Sequence, residues 1–301
     1  EAGHAPVLVY VHAPDEEGDW APGAASRAWL ARSLKALQAA LGARGTSLVV
    51  LRGPSAEALS TLARRTAAVA VYWNRCYEPA SIERDAAVKK RLRGEGLEAR
   101  SFNGALLVEP WQVSTGGDGP YRVFTPFWRK ASGLLAEQAP CSAPDTIPAP
   151  PAGVGREACG AQAIDALGLT PRLGWDAGFW ERFEPGESGA HDALDAFIEG
   201  AAASYLDQRD LPDRAGTSRL SPHLHFGEIS PWQVLHGIRA RRWPASMQGD
   251  VDHFLSELGW REFSHHLLFH FPHTAEEPLN PRFAAFPWRE APRELRAWQR
   301  G

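Results

Sequence analysis

The chain has 301 residues, a net charge of −4 and a pI near 6.3. This length exceeds a usual single hydrophobic core, so we expect two domains. The sequence contains no apolar run of membrane-spanning length and no charged-then-apolar leader, which argues against a membrane protein and against export. The charge excludes a strong basic field, so any contact with nucleic acid must come from a local patch.

The cysteines are three in number and show neither paired nor metal-ligand spacing: Cys76, Cys141 and Cys159. An odd, unpatterned set of thiols fits a reducing compartment. We therefore expect a cytoplasmic protein.

The N-terminal half alternates short apolar runs with helical patterns. Residues 7–14, 47–53 and 68–74 are predicted strands, and residues 25–41, 56–65 and 81–93 are predicted helices. Such alternation predicts an α/β domain with a doubly wound parallel sheet. A glycine-rich dinucleotide fingerprint does not follow the first strand, which disfavours NAD binding.

The middle of the chain is rich in Ala, Pro and Gly, and this composition is typical of an extended linker. From Trp175 onward the pattern becomes helical. We therefore predict an α/β domain over residues 1–137, a linker over 138–174 and an all-α domain over 175–301.

The segment GTSRLSPHLHFGEISPWQ, residues 216–233, combines hydroxyls, one guanidinium and two Ser-Pro pairs. We expect Ser221 and Ser230 each to cap a helix, and Gln233 to complete a capping box with Ser230. Free backbone N–H groups and donors from Thr217, Ser218 and Arg219 would suit a phosphate or pyrophosphate.

A second patterned segment lies further along, where apolar residues recur at helical spacing from Val251. On the same helix Glu257, Trp260, Arg261 and Ser264 fall at i, i+3, i+4 and i+7. A carboxylate, an indole and a guanidinium therefore share one stripe, for which a purely buried helix has little use.

Together these residues resemble the photolyase/cryptochrome family, whose motifs run TSRLSP-x-L-H-F-G-E-[IV]-S and F-L-x-E-L-x-W-R-E-F. The resemblance extends over nearly the whole chain, through YWNRCYEP, YRVFTPFWRK, SYLDQRDLPD and FAAFPWRE in family order. It is closest to DNA photolyases of the class I type. The family's opening strand and its C-terminal part have no counterpart, so the resemblance implies a chain truncated at both ends.

The resemblance implies an all-α FAD-binding domain, incomplete at its C-terminus, after the α/β antenna domain. It implies light-driven repair of cyclobutane pyrimidine dimers in DNA by electron transfer from reduced FAD, a carbon–carbon lyase reaction. The implied partner is damaged DNA, with no membrane, and the implied state is a monomer. The alternatives are a cryptochrome-type blue-light photoreceptor and a (6-4) photolyase.

Site residues follow from the resemblance position by position. The implied FAD contacts are Tyr205, Thr217, Ser218, Arg219, Leu220, Ser221, Phe254 and Arg261. The implied contacts to DNA and its lesion are Arg209, Glu257 and Trp260. Trp288 matches the outermost tryptophan of the electron-transfer chain, with ordinary loop packing as the alternative.

The family's N-terminal domain also holds an antenna chromophore of the folate or deazaflavin type, and the block GAASRAWLARSL resembles the wall of that pocket. Where folate-type members carry an acidic residue, this chain has Pro79, Ala80 and Ser81, which argues against folate. The alternative is a sheet domain that only supports the helical one.

Eight of the eleven histidines lie between residues 223 and 273. His266, His270 and His273 have spacings that would put three imidazoles on one helical face. Because no carboxylate or thiolate joins them at catalytic-site spacing, we predict no metal site.

Overall fold

The computed structural model describes residues 5–135, 139–151, 153–155 and 158–300. The N-terminal part alternates strands and helices as the sequence predicts. Its elements are β1 (Val9–His12), α1 (Ala24–Ala43), β2 (Val49–Arg52), α2 (Ser55–Thr66), β3 (Ala70–Asn74), α3 (Pro79–Gly94) and β4 (Glu98–Phe102). The fourth strand is an addition to the three predicted from the sequence.

The four strands pair in parallel. β1 pairs with β2 from Val9↔Val49 to His12↔Arg52, and β3 pairs with β4 from Ala70↔Glu98 to Asn74↔Phe102. The two pairs form separate two-stranded sheets in this part of the chain rather than one continuous sheet. Parallel pairing with helical crossovers confirms the α/β class of the N-terminal domain.

The predicted linker is not wholly extended. It contains α5 (Gly160–Asp165), which packs against α1, and Cys159 forms an isolated antiparallel bridge with Val49. Ile164, Leu167 and Leu169 are buried with apolar residues of α1 and β2. Burial of these scattered apolar side chains outweighs the Ala, Pro and Gly composition.

The rest of the chain is helical. Its α-helices are α4 (Phe124–Ser132), α6 (Glu187–Glu199), α7 (Tyr205–Gln208), α8 (Ser221–Phe226), α9 (Pro231–Ala240), α10 (Gln248–His270) and α11 (Pro292–Arg300). The main apolar core joins α4, α6, α9 and α10 to Leu107 and Val108. The C-terminal end of the predicted α/β domain therefore packs with the helices that follow it.

One of the two predicted helix caps is present in the structure. Ser230 Oγ accepts a hydrogen bond from the Gln233 N–H at 3.1 Å, and the Ser230 N–H donates to Gln233 Oε1 at 2.8 Å, which completes the capping box. α8 instead begins at Ser221, with Leu220 at the N-cap and no side-chain cap. The Ser221 hydroxyl is one position too late to cap, so that prediction was wrong.

Gly259 of α10 lies very close to Trp128 of α4. A Cβ on Gly259 would lie 2.6 Å from the Trp128 ring, so only glycine lets α4 cross α10 at this depth. None of the described helices is both long and apolar enough to span a bilayer.

Candidate functional site

The predicted lesion residues Arg209 and Glu257 meet on neighbouring helices. Arg209 follows the last residue of α7, and its Nη1 donates to the Glu257 carboxylate and, at 2.7 Å, to His253 Nε2. The hydrogen bond to Glu257 raises the pKa of Arg209. All three side chains are partly exposed, so the cluster is open to a solvent-borne ligand.

Trp260 lies on the same helix, one turn after Glu257. Of this residue, 46% is exposed to solvent. Phe124 covers one face of the indole. An exposed indole one helical turn from the Glu257 carboxylate provides a stacking surface near a hydrogen-bonding group.

Tyr205 and Phe254, two predicted FAD contacts, pack against each other. Their rings meet edge to face with centroids 5.4 Å apart, and both belong to the main core together with Leu220. Burial raises the pKa of Tyr205, and the Arg209 guanidinium lies 5.5 Å from its ring. The structure thus brings Tyr205, Phe254, Arg209 and Glu257 into one contiguous group.

The Thr217–Ser221 segment lies next to this group. Leu220 anchors it in the core, and a Cβ on the preceding Gly216 would come within 2.5 Å of the Gln208 carbonyl oxygen. Thr217, Arg219 and Ser221 are exposed, and Arg219 adopts a left-handed φ of 55°. Ser218 Oγ accepts a weak hydrogen bond from the Leu220 N–H at 3.4 Å.

Arg261, the eighth predicted FAD contact, forms hydrogen bonds with Ala105 and Glu262. Its Nη1 donates to the Ala105 carbonyl at 2.6 Å and to Glu262 Oε1 at 3.3 Å. Burial lowers its pKa. The bond to Ala105 ties α10 to the connection after β4, and the FAD role of Arg261 stays a prediction.

Two polar residues of α10, Glu262 and His266, are buried, which was not expected from the sequence. Glu262 Oε2 accepts the N–H groups of Leu107 at 2.7 Å and Val108 at 3.1 Å, and burial raises its pKa to about 7. His266 Nε2 accepts the Tyr121 N–H at 3.1 Å, and burial lowers its pKa to about 4. Their signal was present, since both fall on the apolar stripe that runs through Leu258.

The expected antenna block holds a buried residue, Trp29. Its indole N–H donates to Glu228 Oε1 at 3.0 Å, and Glu228 Oε2 lies 2.5 Å from His223 Nδ1. Trp29 also packs on Phe226, with centroids 6.1 Å apart. Trp29 therefore joins α1 to α8, a contact that no local sequence pattern predicts.

Trp288 lies at the surface with 79% of the residue exposed, and its ring centroid is 4.7 Å from that of Phe286.

A cavity of about 710 Å³ lies between the β4–α4 connection and the start of α9. Its lining includes Asn103, Gln112 and Trp232. Among the described residues, none of the acidic, His or Cys side chains form a group of three or more that would hold a metal ion.

Comparison with known proteins gives matches at both ends of the chain. Residues 1–149 match the family described as DNA photolyase, and residues 254–301 match the FAD binding domain of DNA photolyase. A deoxyribodipyrimidine photo-lyase from Agrobacterium fabrum is 40% identical over 302 residues, covering 100% of this chain and 61% of that protein. Cryptochrome-1 from Arabidopsis thaliana is 33% identical over 304 residues, covering 98% and 44%.

A crystal structure of a bacterial class III photolyase from Agrobacterium tumefaciens superposes with a TM-score of 0.90 at 39% identity, covering 99% of this chain and 60% of that one. The α/β part, the helical part and the motif-bearing α10 are the architecture of a photolyase-like flavoprotein. The chain belongs to the photolyase/cryptochrome family. It spans about 60% of the length of the photolyases that it matches. We expected a photolyase of the class I type from the sequence, whereas this solved relative is described as a class III photolyase.

Proposed function

We propose that this chain takes part in light-driven repair of cyclobutane pyrimidine dimers in DNA, with reduced FAD as the electron donor. The observation that carries the proposal is the half-exposed Trp260 one helical turn from the Arg209–Glu257 pair. Support also comes from the 40% identical deoxyribodipyrimidine photo-lyase.

The chain's own residues bind and orient the lesion in this proposal. A dimer must leave the base stack before an electron can reach it, and photolyases are a standard example of such extrusion. The Trp260 indole would stack on the extruded pyrimidine, and Glu257 would accept a hydrogen bond from its edge. Arg209 would contact the DNA backbone, where a guanidinium pairs with phosphate.

The fit of FAD rests on the donors of the Thr217–Ser221 segment. The exposed hydroxyls of Thr217 and Ser221 and the exposed Arg219 guanidinium suit the pyrophosphate. Arg261 remains a proposed FAD contact, with its Nη1 bonded to the Ala105 carbonyl oxygen. Reduced FAD, when bound and excited by blue light, supplies one electron that splits the cyclobutane ring and then returns, with no net redox change.

A cryptochrome-type photoreceptor is the second candidate, favoured by the 33% identical cryptochrome-1. A photoreceptor would bind flavin and signal through partners without needing an indole for an extruded base. A (6-4) photolyase, the third candidate, would act on the (6-4) photoproduct instead of the cyclobutane dimer. We further propose a folate-type or deazaflavin-type antenna chromophore in the N-terminal part, a monomeric state and a cytoplasmic location.

The test is binding and repair by the 301-residue chain. Single-stranded oligonucleotides of one sequence, carrying a thymine dimer, a (6-4) photoproduct or no lesion, are titrated by fluorescence anisotropy. Each is then irradiated with blue light in the presence of excess reduced FAD. Preference for the dimer with recovery of thymine absorbance supports the proposal. Flavin binding with equal affinity for all three oligonucleotides favours the photoreceptor, and preference for the (6-4) oligonucleotide favours the third candidate.

A further inference from the structure

Phe124, a residue outside the predicted site, stacks on the indole of Trp260. The two ring centroids are 3.8 Å apart and the ring planes differ by 9°. Phe124 opens α4, whereas Trp260 lies in the middle of α10, so the pair joins segments that are far apart in sequence. Phe263 meets both rings edge to face. Its ring centroid lies 6.0 Å from that of Phe124 and 5.9 Å from that of Trp260.

The crossing of α4 and α10 produces this stack. Phe124 and Trp128 are four residues apart on α4 and therefore share one face. Trp128 lies directly over Gly259, where a Cβ would approach its ring to 2.6 Å. The neighbouring residue on α10 is Trp260, so the same close crossing places Phe124 over the indole.

The stack leaves the indole a defined geometry. Phe124 covers one face and Phe263 contacts the ring edge to face, yet 46% of Trp260 stays exposed. A side chain held in this way has little rotamer freedom left to lose when a ligand stacks on it. The free face is the surface on which a pyrimidine ring can lie.

We propose that Phe124 is a positioning residue for lesion binding, which fixes the Trp260 indole so that one extruded pyrimidine stacks on its outer face. This inference rests on the proposed lesion role of Trp260. Phe124 does not contact the lesion itself in this arrangement. Its contribution is to hold the stacking surface in place before DNA arrives.

The test compares Phe124→Leu, Phe124→Tyr and the wild-type chain, with Phe286→Leu as a matched control from the surface Phe286–Trp288 pair. The ligands are a single-stranded oligonucleotide with one thymine dimer and its undamaged counterpart. Phe124→Leu should weaken dimer binding by about 2- to 10-fold, the usual range for loss of an aromatic pair. Binding of the undamaged strand should not change, and Phe124→Tyr and Phe286→Leu should match the wild type.

Equal dimer preference in Phe124→Leu and the wild type overturns the inference. If Phe124→Leu unfolds, Phe124→Met replaces it, because an unbranched apolar side chain fills the same space without a ring. Dimer preference retained in that variant likewise overturns the inference. If the wild type itself shows no dimer preference, the proposed function fails and this inference fails with it. If Trp260→Ala loses the preference for the dimer strand and Phe124→Leu keeps it, the inference about Phe124 is overturned and the proposed lesion role of Trp260 stands.

Discussion

Arg209 and Glu257 form an ion pair that joins α7 to α10, 48 residues further along the chain. His253, one turn before Glu257, accepts a second hydrogen bond from the same guanidinium nitrogen at 2.7 Å. The pair is partly exposed, so the guanidinium is held in a fixed position and remains reachable from solvent. A phosphate that binds Arg209 must compete with the Glu257 carboxylate for it.

Replacing Arg209 with Gln should weaken binding of damaged and undamaged single strands alike, because a phosphate contact carries no base information. The slope of log K against log salt concentration should fall in magnitude by about 0.7, the value for one lost contact on a single strand. Anisotropy titrations over a salt series measure the slope. Arg214→Gln, at an exposed arginine beside Asp213, is the control and should leave the slope within error. An unaltered slope in the Arg209 variant would remove this residue from the DNA interface.

Glu262 and His266 should give opposing pH dependences of stability. Burial raises the pKa of Glu262 to about 7, above its usual 4.5, so its contribution is present below pH 4.5 and is lost as pH rises to about 7. Burial lowers the pKa of His266 from 6.5 to about 4, so its contribution is present above pH 6.5 and is lost as pH falls to about 4. Each effect is on the order of 3 kcal/mol, and the two oppose each other between pH 4.5 and 6.5.

Glu262→Gln keeps an oxygen for the N–H groups of Leu107 and Val108, and should make stability rise with pH in that interval. His266→Gln keeps an acceptor for the Tyr121 N–H and should make stability fall with pH. Urea unfolding at several pH values measures both slopes. The exposed residues Glu199 and His236 supply the controls, each changed to Gln. Parallel pH profiles for the wild type and both α10 variants would contradict the prediction.

Gly259→Ala should destabilise the protein by about 1–2 kcal/mol. The added Cβ would lie 2.6 Å from the rigid Trp128 ring, and this overpacking outweighs the gain in helix propensity. Gly249→Ala, near the start of the same helix, meets only Leu206 at 3.9 Å and should be neutral or stabilising. Thermal unfolding of both variants checks the contrast. Equal midpoints for the two variants would show that α4 does not cross α10 so closely.

The purified chain should retain FAD weakly or not at all. The residues Thr217 and Ser221 are exposed, and Phe254 and Leu220 pack into the core, so these residues do not enclose a flavin ring. The flavin absorbance after gel filtration in excess FAD measures the retained cofactor. A yellow protein with one flavin per chain would contradict this expectation.

Local sequence patterns predicted the local structure well. The apolar runs at 47–53 and 68–74 became β2 and β3, and helical spacing located α10, because these signals depend on neighbouring residues alone. Contacts distant in sequence were not predictable in this way. Arg261 lies on the stripe with Trp260 and Glu257, but its partner is Ala105, 156 residues earlier. The same limit concealed the Phe124–Trp260 stack and the Trp29–Glu228 hydrogen bond, which only tertiary packing brings together.

The most direct measurement is the affinity of Trp260→Ala for a thymine-dimer oligonucleotide relative to the undamaged strand. Loss of one stacked base should weaken dimer binding by about 5- to 150-fold and leave the undamaged strand nearly unaffected. The matched control is Trp298→Ala, at a second tryptophan of the surface, which should bind as the wild type does. Equal dimer affinity in Trp260→Ala and the wild type would contradict the assignment of this face of α10 to lesion recognition.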